Sequence, residues 1–434
     1  MRKFAVLLIV AGIVLSLPFC SGKKGKTKVI VIGFDGADWD FIEPLIEKGH
    51  LPNFKFLREN GAWARLKSMK PTLSAVIWTT ISTGQTMEKH GIIDWLYVQR
   101  KGIKVPYNNS ERRVPAIWEI LNEYEKSSAV INWYVSYPPD HIKGIFVSDA
   151  IRKVVFMKKN ERFKLRDTVY PERYFNMLLK CVPGNYKEIL QKMGIPDYIA
   201  MARKWGKDPA KLPVIADFKA FIRMEKFVDC VGELVWTRGN YDFFALYYRW
   251  PDVVTHFIGM FLPPNLAEKG LEEMQKNHRL EPSLRKELDE KTAELLLPVY
   301  SWLDKILGRY ISRMDKNTYL IVLSDHGFDF GPRGYNHELP DWMPPPTGIL
   351  GILGPGVKKG YEIKKASVFD IAPTILYIYG LPLGREMDGK PIAGAFKFSR
   401  KISFKKYFRR KFIKKHLREL DNRTLKELRS LGYI

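Results

Sequence analysis

Short apolar runs that stop abruptly at an acidic residue are the feature that most restricts how this chain can fold. Three of them are KVIVIGF before Asp35, FFALYYRWP before Asp252 and YLIVLS before Asp325. Such runs are typical of strands buried on both faces of a parallel sheet. Segments with helical spacing separate them, as in Leu284–Met314. This alternation predicts an α/β fold with a predominantly parallel sheet and helices on both faces.

The length of 434 residues and a hydrophobic share of 46% suit one large α/β domain with an insertion, or two domains. Residues 151–240 are rich in Lys, Arg, Met and aromatic residues and lack strand-like runs punctuated by glycine, which indicates a mainly helical cap. We therefore predict five units: 1–23 signal peptide or membrane anchor, 24–150 first part of the core, 151–240 cap insertion, 241–395 second part of the core, and 396–434 basic C-terminal tail.

The N-terminus has the features of a targeting segment. The basic start MRK precedes an uncharged apolar run, Phe4–Phe19, and then a lysine-rich stretch. This indicates a signal peptide or an uncleaved anchor, and the sequence up to Cys20 resembles a bacterial lipoprotein signal. We expect an extracytoplasmic, membrane-attached protein of the bacterial periplasm or cell surface. In that compartment Cys181 and Cys230 could form a disulfide, although two buried free thiols are an equal alternative.

The formal net charge of +24 is strongly basic. Lys397–Lys415 holds ten Lys or Arg and no acid, and Phe404, Phe408 and Phe412 recur at every fourth residue. This pattern predicts a basic amphipathic helix that lies on an anionic membrane or packs its aromatic face against the core. Nucleic acid is the usual alternative for such a tract, but we do not expect it for an extracytoplasmic protein.

Candidate metal ligands follow the predicted strands. In a parallel sheet, ligands bind beyond the carboxyl ends of the strands, so Asp35, Asp252 and the pair Asp325–His326 are expected at one edge. A single Asp at a strand end is usually a turn or capping residue, but three such ends favour a metal site. His256, four residues after Asp252, and His337 add imidazole ligands. Mixed carboxylate and imidazole ligands suit zinc, and six of them suffice for two ions.

A nucleophile is expected in the segment PTLSAVIWTTISTG, residues 71–84. Ser74 lies where a helix would begin, and the N–H groups and dipole of that helix would stabilise an anion there. Thr72 is the competing nucleophile. The structural alternative is that Ser74 only caps the helix.

Taken in order, the motifs FDG, PTLS, PDVVTH, SDHG, the later His337 and DIAPTILYIYGLP resemble those of the alkaline phosphatase superfamily. Within it, the similarity is to the type I phosphodiesterase/nucleotide pyrophosphatase family and runs from Lys28 to about Pro391. The resemblance implies two zinc ions and a covalent phosphoserine. It assigns one ion to Asp35, Ser74, Asp325 and His326, and the other to Asp252, His256 and His337.

Two departures from the family pattern restrict the class of substrate that we expect. Nucleotide pyrophosphatases usually have Thr as nucleophile and an Asn three residues later, where this chain has Ser74 and Ile77. The sulfatase pattern C/S-x-P-x-R is absent from SAVIW. We therefore predict a hydrolase that acts on an anionic phosphoester, a phosphodiesterase or phosphatase. The alternatives are an envelope phosphotransferase that moves phosphoglycerol or phosphoethanolamine, and a non-catalytic, metal-stabilised binding protein.

Overall fold

The computed structural model describes residues 26–98, 104–204 and 218–408. The predicted N-terminal segment, with Cys20, lies outside these residues, and so does the end of the tail from residue 409. Among the described residues, no helix combines the length and apolar character needed to cross a membrane.

A nine-stranded sheet forms the centre of the molecule, in the order β13-β2-β12-β9-β1-β8-β5-β6-β7. Seven of its strands run in one direction, and β12 and β7 run against them. Within the described ranges, three two-stranded sheets, β3-β4, β10-β11 and β14-β15, lie outside it. The strands are β1 Lys28–Phe34, β2 Ala62–Leu66, β3 Leu96–Val98, β4 Lys104–Pro106, β5 Ser128–Ile131, β6 Gly144–Val147, β7 Val169–Tyr170, β8 Phe243–Tyr248, β9 Thr318–Leu323, β10 Asp329–Gly331, β11 Gly334–Asn336, β12 Gly348–Leu353, β13 Tyr361–Glu362, β14 Leu383–Gly384 and β15 Phe404–Lys405.

Helices cover both faces of this sheet. They are α1 Trp39–Glu47, α2 Pro52–Asn60, α3 Ser74–Thr83, α4 Met87–His90, α5 Ile117–Glu123, α6 Phe175–Leu178, α7 Tyr186–Met193, α8 Tyr198–Lys204, α9 Phe218–Trp236, α10 Trp250–Ile258, α11 Pro264–Asn277, α12 Pro282–Ile311 and α13 Ile371–Tyr379. One layer contains α1, α2, α9, α10 and α12, and the other contains α3, α5 and α13.

Alternation along the central strands explains why both faces are covered. In β1, Ile30 and Ile32 belong to the core under α1 and α12, and Val29 and Val31 to the core under α3 and α13. Because successive side chains point to opposite faces, an all-apolar strand needs a helix layer on each side. The predicted α/β fold with a predominantly parallel sheet is confirmed.

Residues 151–204 and 218–236 are mainly helical, with short 3₁₀ segments before α6, and they add the edge strand β7 to the sheet. Cys181 and Cys230 form a disulfide there, with Cα atoms 5.4 Å apart. The sequence left open whether these two cysteines form a disulfide or remain free thiols, and the structure contains the disulfide. The division of the chain into a cap and two core parts stays a prediction.

The C-terminal tail departs from the sequence prediction within its described part. Residues 397–408 contain no helix; Phe404–Lys405 forms β15, which pairs with β14 in parallel. Tyr407 is buried, and its hydroxyl donates a hydrogen bond to the carbonyl of Pro382, 2.9 Å away. The strand pairing and the hydrogen bond from Tyr407 hold this segment in an extended conformation, although its phenylalanines recur at every fourth residue. The predicted helix is therefore wrong over these residues.

Candidate active site

The three acidic strand ends meet at one edge because β9, β1 and β8 are neighbours in the sheet. The backbone continues the pairing beyond the strands: Asp35 N–H donates to the carbonyl of Tyr248, and Asp252 N–H donates to the carbonyl of Asp35, both at 2.9 Å. The loops that carry Asp35 and Asp252 are therefore fixed to each other by their main chains.

Gly36 allows these loops to approach closely. Its φ is +67°, and a Cβ built there would lie 2.8 Å from the Phe328 ring and 2.9 Å from Asp252 Cα. Its N–H donates to Asp325 Oδ1 at 3.3 Å. A side chain at residue 36 would be both strained and obstructed, so glycine is required by the site geometry.

One group of candidate metal ligands consists of Asp35, Asp325 and His326, which offer atoms within 4.8 Å of one another. His326 Nε2 lies 3.5 Å from Asp35 Oδ1 and 3.4 Å from Asp325 Oδ2. All three side chains are fully buried. This arrangement has the donor set of a cation site with two carboxylates and one imidazole.

The second group consists of Asp252, His326 and His337. Asp252 Oδ1 lies 3.6 Å from His337 Nε2 and 4.0 Å from His326 Nε2. His256 Nε2 adds a further nitrogen, 3.3 Å from Asp252 Oδ1 and 3.0 Å from His337 Nε2. With 30% of its side chain exposed, His256 marks the side of the site that is open to solvent. His326 is shared by both groups, so two ions here would be neighbours.

The two buried histidines present the nitrogen that a metal needs. His326 Nδ1 lies 3.0 Å from the carbonyl of Gly327, and His337 Nδ1 lies 2.9 Å from the carbonyl of Thr72. A carbonyl only accepts, so each Nδ1 carries the proton. In the neutral ring, Nε2 then directs its lone pair towards the carboxylates, as in metal-binding histidines.

The carboxylates also fit a bound cation. Asp252 Oδ1 and Asp325 Oδ2 are buried and have no hydrogen-bond donor among the described residues. Burial raises the pKa of Asp325, and the charges of Asp35 and Asp252 raise it further. Burial likewise raises the pKa of Asp35. Buried carboxylates this close to each other are costly unless a positive charge compensates them.

Ser74 lies beside the first ligand group, at the N-terminal end of α3. Its Oγ is 3.4 Å from Asp35 Oδ1 and 3.5 Å from His326 Nε2. Thr72 contributes its carbonyl to His337, as described above. Ile77 is fully buried in the apolar core and offers no polar group. Of the two hydroxyls considered from sequence, the geometry favours Ser74.

Sequence reasoning missed two residues that support Asp35. Trp78 Nε1 donates to Asp35 Oδ2 at 3.1 Å, and the hydroxyl of Tyr247 donates to the same oxygen. These bonds orient the carboxylate so that Oδ1 faces Ser74 and His326. Trp78 lies one helical turn after Ser74 and therefore on the same face of α3, which is the signal that could have identified it.

Comparison with known proteins identifies the family. The family profile of type I phosphodiesterase/nucleotide pyrophosphatase matches residues 29–380. The chain belongs to this family. Accordingly it is a hydrolase that acts on phosphoester bonds, in a family whose members depend on metal ions. No curated protein matches the chain significantly.

Solved structures are similar to this chain at low sequence identity. A protein in complex with its substrate D-glucosamine-2-N,6-O-disulfate is 14% identical with a TM-score of 0.51, covering 87% of this chain and 81% of that chain. Murine ectonucleotide pyrophosphatase/phosphodiesterase 5 is 14% identical with a TM-score of 0.45, covering 82% and 95%. The phosphonate monoester hydrolase of Silicibacter pomeroyi is 14% identical with a TM-score of 0.47, covering 86% and 76%.

Proposed function

We propose that this protein is a phosphodiesterase that uses two zinc ions and forms a covalent phosphoserine at Ser74. The observation that carries the proposal is the position of the Ser74 hydroxyl. It lies within 3.5 Å of both Asp35 and His326, at the start of a helix and beside two adjoining ligand groups. A nucleophile at the centre of such a cluster suits phosphoryl transfer.

The ligand chemistry supports zinc. We assign one ion to Asp35, Ser74, Asp325 and His326, and the other to Asp252, His256 and His337. Three imidazoles with three carboxylates match the nitrogen and oxygen ligands of zinc better than the all-oxygen sets of calcium or magnesium. When bound, the ions would supply Lewis-acid stabilisation of phosphoryl oxygens and lower the pKa of the serine hydroxyl and of the hydrolytic water.

The residues of the chain carry the two steps. In the first, Ser74 Oγ attacks phosphorus, the bond to the leaving alkoxide breaks, and a neighbouring base in the ligand cluster takes the hydroxyl proton. The base then passes this proton to the departing alkoxide. In the second step, water attacks phosphorus while the base takes a proton from it, the bond to Ser74 Oγ breaks, and the proton passes to that oxygen, which restores the serine. The first N–H groups of α3 have no partner inside the helix, so they and the helix dipole are suited to bind the phosphoryl oxygens.

The residue at position 77 argues against a nucleotide-specific enzyme. Ile77 points into the apolar core and cannot donate to a phosphoryl oxygen. We therefore propose a phosphodiester as the substrate class and leave the leaving group open. A transferase that delivers the phosphoryl-linked group to an alcohol would use the same Ser74 and is separated from a hydrolase by its need for an acceptor.

The experiment uses the purified full-length chain with its zinc content measured. Hydrolysis of a chromogenic phosphodiester is compared with that of a phosphomonoester and a phosphonate ester, for wild type, Ser74→Ala and Thr72→Ala. We expect diester hydrolysis to fall at least ~1000-fold in Ser74→Ala, because loss of a nucleophile removes the covalent route, and to persist in Thr72→Ala.

Ser82→Ala is the matched control, because Ser82 lies on the same helix and its hydroxyl donates a hydrogen bond to the carbonyl of Thr79. Acid quenching followed by mass spectrometry should find the phosphoryl group on Ser74. Loss of activity in Thr72→Ala with retention in Ser74→Ala would refute the assigned nucleophile. Turnover that requires an added alcohol would identify the transferase, and bound zinc without any turnover would identify a binding protein.

A further inference from the structure

Both ends of the described chain leave the fold at the edge of the sheet opposite the metal ligands. At the N-terminal end, Lys26 Nζ forms a salt bridge with Asp242 Oδ2 at 2.8 Å, and β1 begins two residues later. Asp242 immediately precedes β8, so this contact lies where the parallel strands begin. The ligands Asp35 and Asp252 lie where the same two strands end.

The C-terminal end reaches the same edge. Lys405 Nζ bonds Glu123 Oε2 at 2.8 Å, and the hydroxyls of Tyr407 and Tyr124 are 3.3 Å apart. Glu123 ends α5, just before β5 begins at Ser128. The hydroxyl of Tyr379, at the end of α13, donates a hydrogen bond of 2.5 Å to the carbonyl of Asp242. This bond links the C-terminal contacts to the residue that Lys26 contacts.

Exposed aromatic and basic side chains alternate on this side of the molecule. We define the basal surface as residues 400–408 together with Lys26. Within it, Ile402 is 40%, Phe404 58% and Phe408 78% exposed. Arg400, Lys401, Lys405 and Lys406 are exposed between them. The nearby acid Glu123 is already paired with Lys405, so the surface keeps an excess of positive charge.

Basic and apolar residues also follow in the sequence beyond both ends of the described part of the chain. The stretch 409–415, RRKFIKK, adds five Lys or Arg, and the apolar run Phe4–Phe19 precedes Lys26 by a short lysine-rich segment. Exposed aromatic side chains among lysines and arginines are the chemistry of protein that lies on an anionic lipid surface. Each basic residue close to such a surface adds to the electrostatic attraction between the protein and the anionic lipids.

We propose that the basal surface docks on an anionic membrane, so that the active site faces away from that membrane. The seven residues of β1 separate the two edges by about 20 Å. The site is therefore held above the lipid headgroups on which the protein docks. It would receive phosphodiesters from the aqueous space or from polymers that extend into it, and not the headgroups of that bilayer.

A surface on the site side provides the matched comparison. The segment between β6 and β7 leaves and returns at the edge that carries the metal ligands, because these two strands are antiparallel. It holds the exposed basic residues Lys158 and Lys159. The same segment also exposes Phe156 and Phe163, so side-chain chemistry alone does not distinguish the two sides. What favours the basal surface is that both ends of the described chain leave the fold there, and an experiment can compare equal changes at each side.

The test uses the full-length chain bound to lipid nanodiscs of phosphatidylcholine with phosphatidylglycerol, and to discs of phosphatidylcholine alone. A fluorescent amino acid is introduced at position 404 or, in a second protein, at position 158, and quenching by spin-labelled lipid headgroups is measured. We expect quenching several-fold stronger at position 404 than at 158 in the anionic discs. The difference should shrink in the neutral discs.

The double variant Lys401→Glu/Lys406→Glu should lose most of the quenching at position 404, and Lys158→Glu/Lys159→Glu should keep it. Equal quenching at the two positions, stronger quenching at position 158, or quenching at 404 that ignores the anionic lipid would overturn the proposal. Hydrolysis of a soluble diester is measured in parallel. Its absence would contradict the proposed function and would leave the orientation result intact, since fluorescence reports position and not turnover.

Discussion

At the scale of single residues, the site depends on hydrogen bonds that leave the correct oxygen free. Asp35 accepts on Oδ2 from both Trp78 and Tyr247, so that Oδ1 alone faces Ser74 and His326. A carboxylate without these donors could rotate and offer either oxygen. Outer donors of this kind typically change metal affinity by about 10–100-fold.

We expect Tyr247→Phe to weaken zinc binding about tenfold while the fold is retained, because Trp78 still holds Asp35. Competition with a chromogenic chelator measures this affinity. Tyr379→Phe is the control, since it removes a hydroxyl bonded to the carbonyl of Asp242 at the opposite edge of the sheet. Equal zinc affinity in wild type and Tyr247→Phe would show that the tyrosine does not orient the ligand.

A buried acid that belongs to neither candidate ligand group predicts a pH effect on stability. Glu225 is 2% exposed, its Oε2 has no hydrogen-bond partner among the described residues, and burial raises its pKa from 4.5 to about 8 against the charges of Arg152 and Arg249. A raised pKa means that the folded state holds its proton more tightly than the unfolded state. Its stabilising contribution is therefore complete below pH 4.5 and is lost as the pH rises towards 8.

Glu225→Gln removes this titration but keeps the shape of the side chain. The difference in unfolding free energy between wild type and variant should change by up to about 5 kcal/mol over this range, in favour of the variant at higher pH. Thermal melting at pH steps from 5 to about 8 measures it. Parallel pH profiles for the two proteins would mean that Glu225 keeps its ordinary pKa.

What single residues do in this site could be predicted only in part from sequence. Asp35, Asp252 and His326 were found because strand ends in a parallel sheet meet at one edge. Tyr247 and Trp78 were missed because an aromatic residue in a strand or helix is usually a core residue, and only its register reveals a ligand partner. The sequence favoured Ser74 over Thr72 because Ser74 was expected at the start of a helix, and the contacts of its hydroxyl with Asp35 and His326 favour the same residue.

At the scale of elements, α12 holds the hairpin that precedes His337. Arg285 on α12 bonds Asp289 one turn later at 2.6 Å and also pairs with Asp329 at the start of β10. Asp289 in turn accepts from the hydroxyl of Tyr335 in β11 at 2.5 Å. Both strands of the hairpin are thus fixed to one face of the helix, and His337 follows β11 directly.

We expect Arg285→Ala to weaken zinc binding at the His337 side of the site and to lower stability by about 1–3 kcal/mol, since Arg285 is partly exposed. Bound zinc per chain should fall at limiting metal. Arg285→Lys should not restore it, because a lysine cannot bond several carboxylates in one plane. Arg309→Ala is the control: it removes another arginine of α12, which pairs with Asp229 on α9, and it should lower stability without changing zinc content.

The tail illustrates why one element was predicted wrongly. The spacing of Phe404 and Phe408 fits a helix, but the chain at Phe404–Lys405 finds an available strand partner in Leu383–Gly384. Spacing reports which side chains could share a face and not which backbone partner lies nearby. Long helices with many turns, such as Pro282–Ile311, are predicted well because their pattern repeats often enough to exclude other structures.

At the scale of the whole molecule, the parallel direction of the sheet brings together candidate metal ligands that are far apart in sequence. Asp35 and His326 are nearly 300 residues apart in the chain but lie at the ends of adjacent strands. The sequence predicted that these residues meet at one edge of the sheet because each of the strands could be recognised from its own residues. It could not predict the strand order or the edge strand β7, because the residues of one strand do not show which other strand pairs with it.

Removal of the metal tests whether the buried carboxylates at this edge of the sheet need a cation. Asp35, Asp252 and Asp325 are all buried, and burial and mutual repulsion raise the pKa of Asp35 and Asp325. Without metal, folded protein holds these protons more tightly than unfolded protein, so its stability should fall as the pH rises from acidic to neutral. With zinc bound, the cation compensates the charges and the dependence should flatten.

We expect a zinc chelator to abolish diester hydrolysis and to lower the melting temperature by several degrees at neutral pH, and by less at pH 5, because ligand binding to the folded state contributes several kcal/mol. Added zinc should restore both properties, and magnesium should restore neither. In Asp325→Asn, one buried charge is absent, so the metal-free variant should melt higher than metal-free wild type at neutral pH. If chelation left the melting temperature of the wild type unchanged at both pH values, the carboxylates would not require a cation and the assignment of a metal centre would fail.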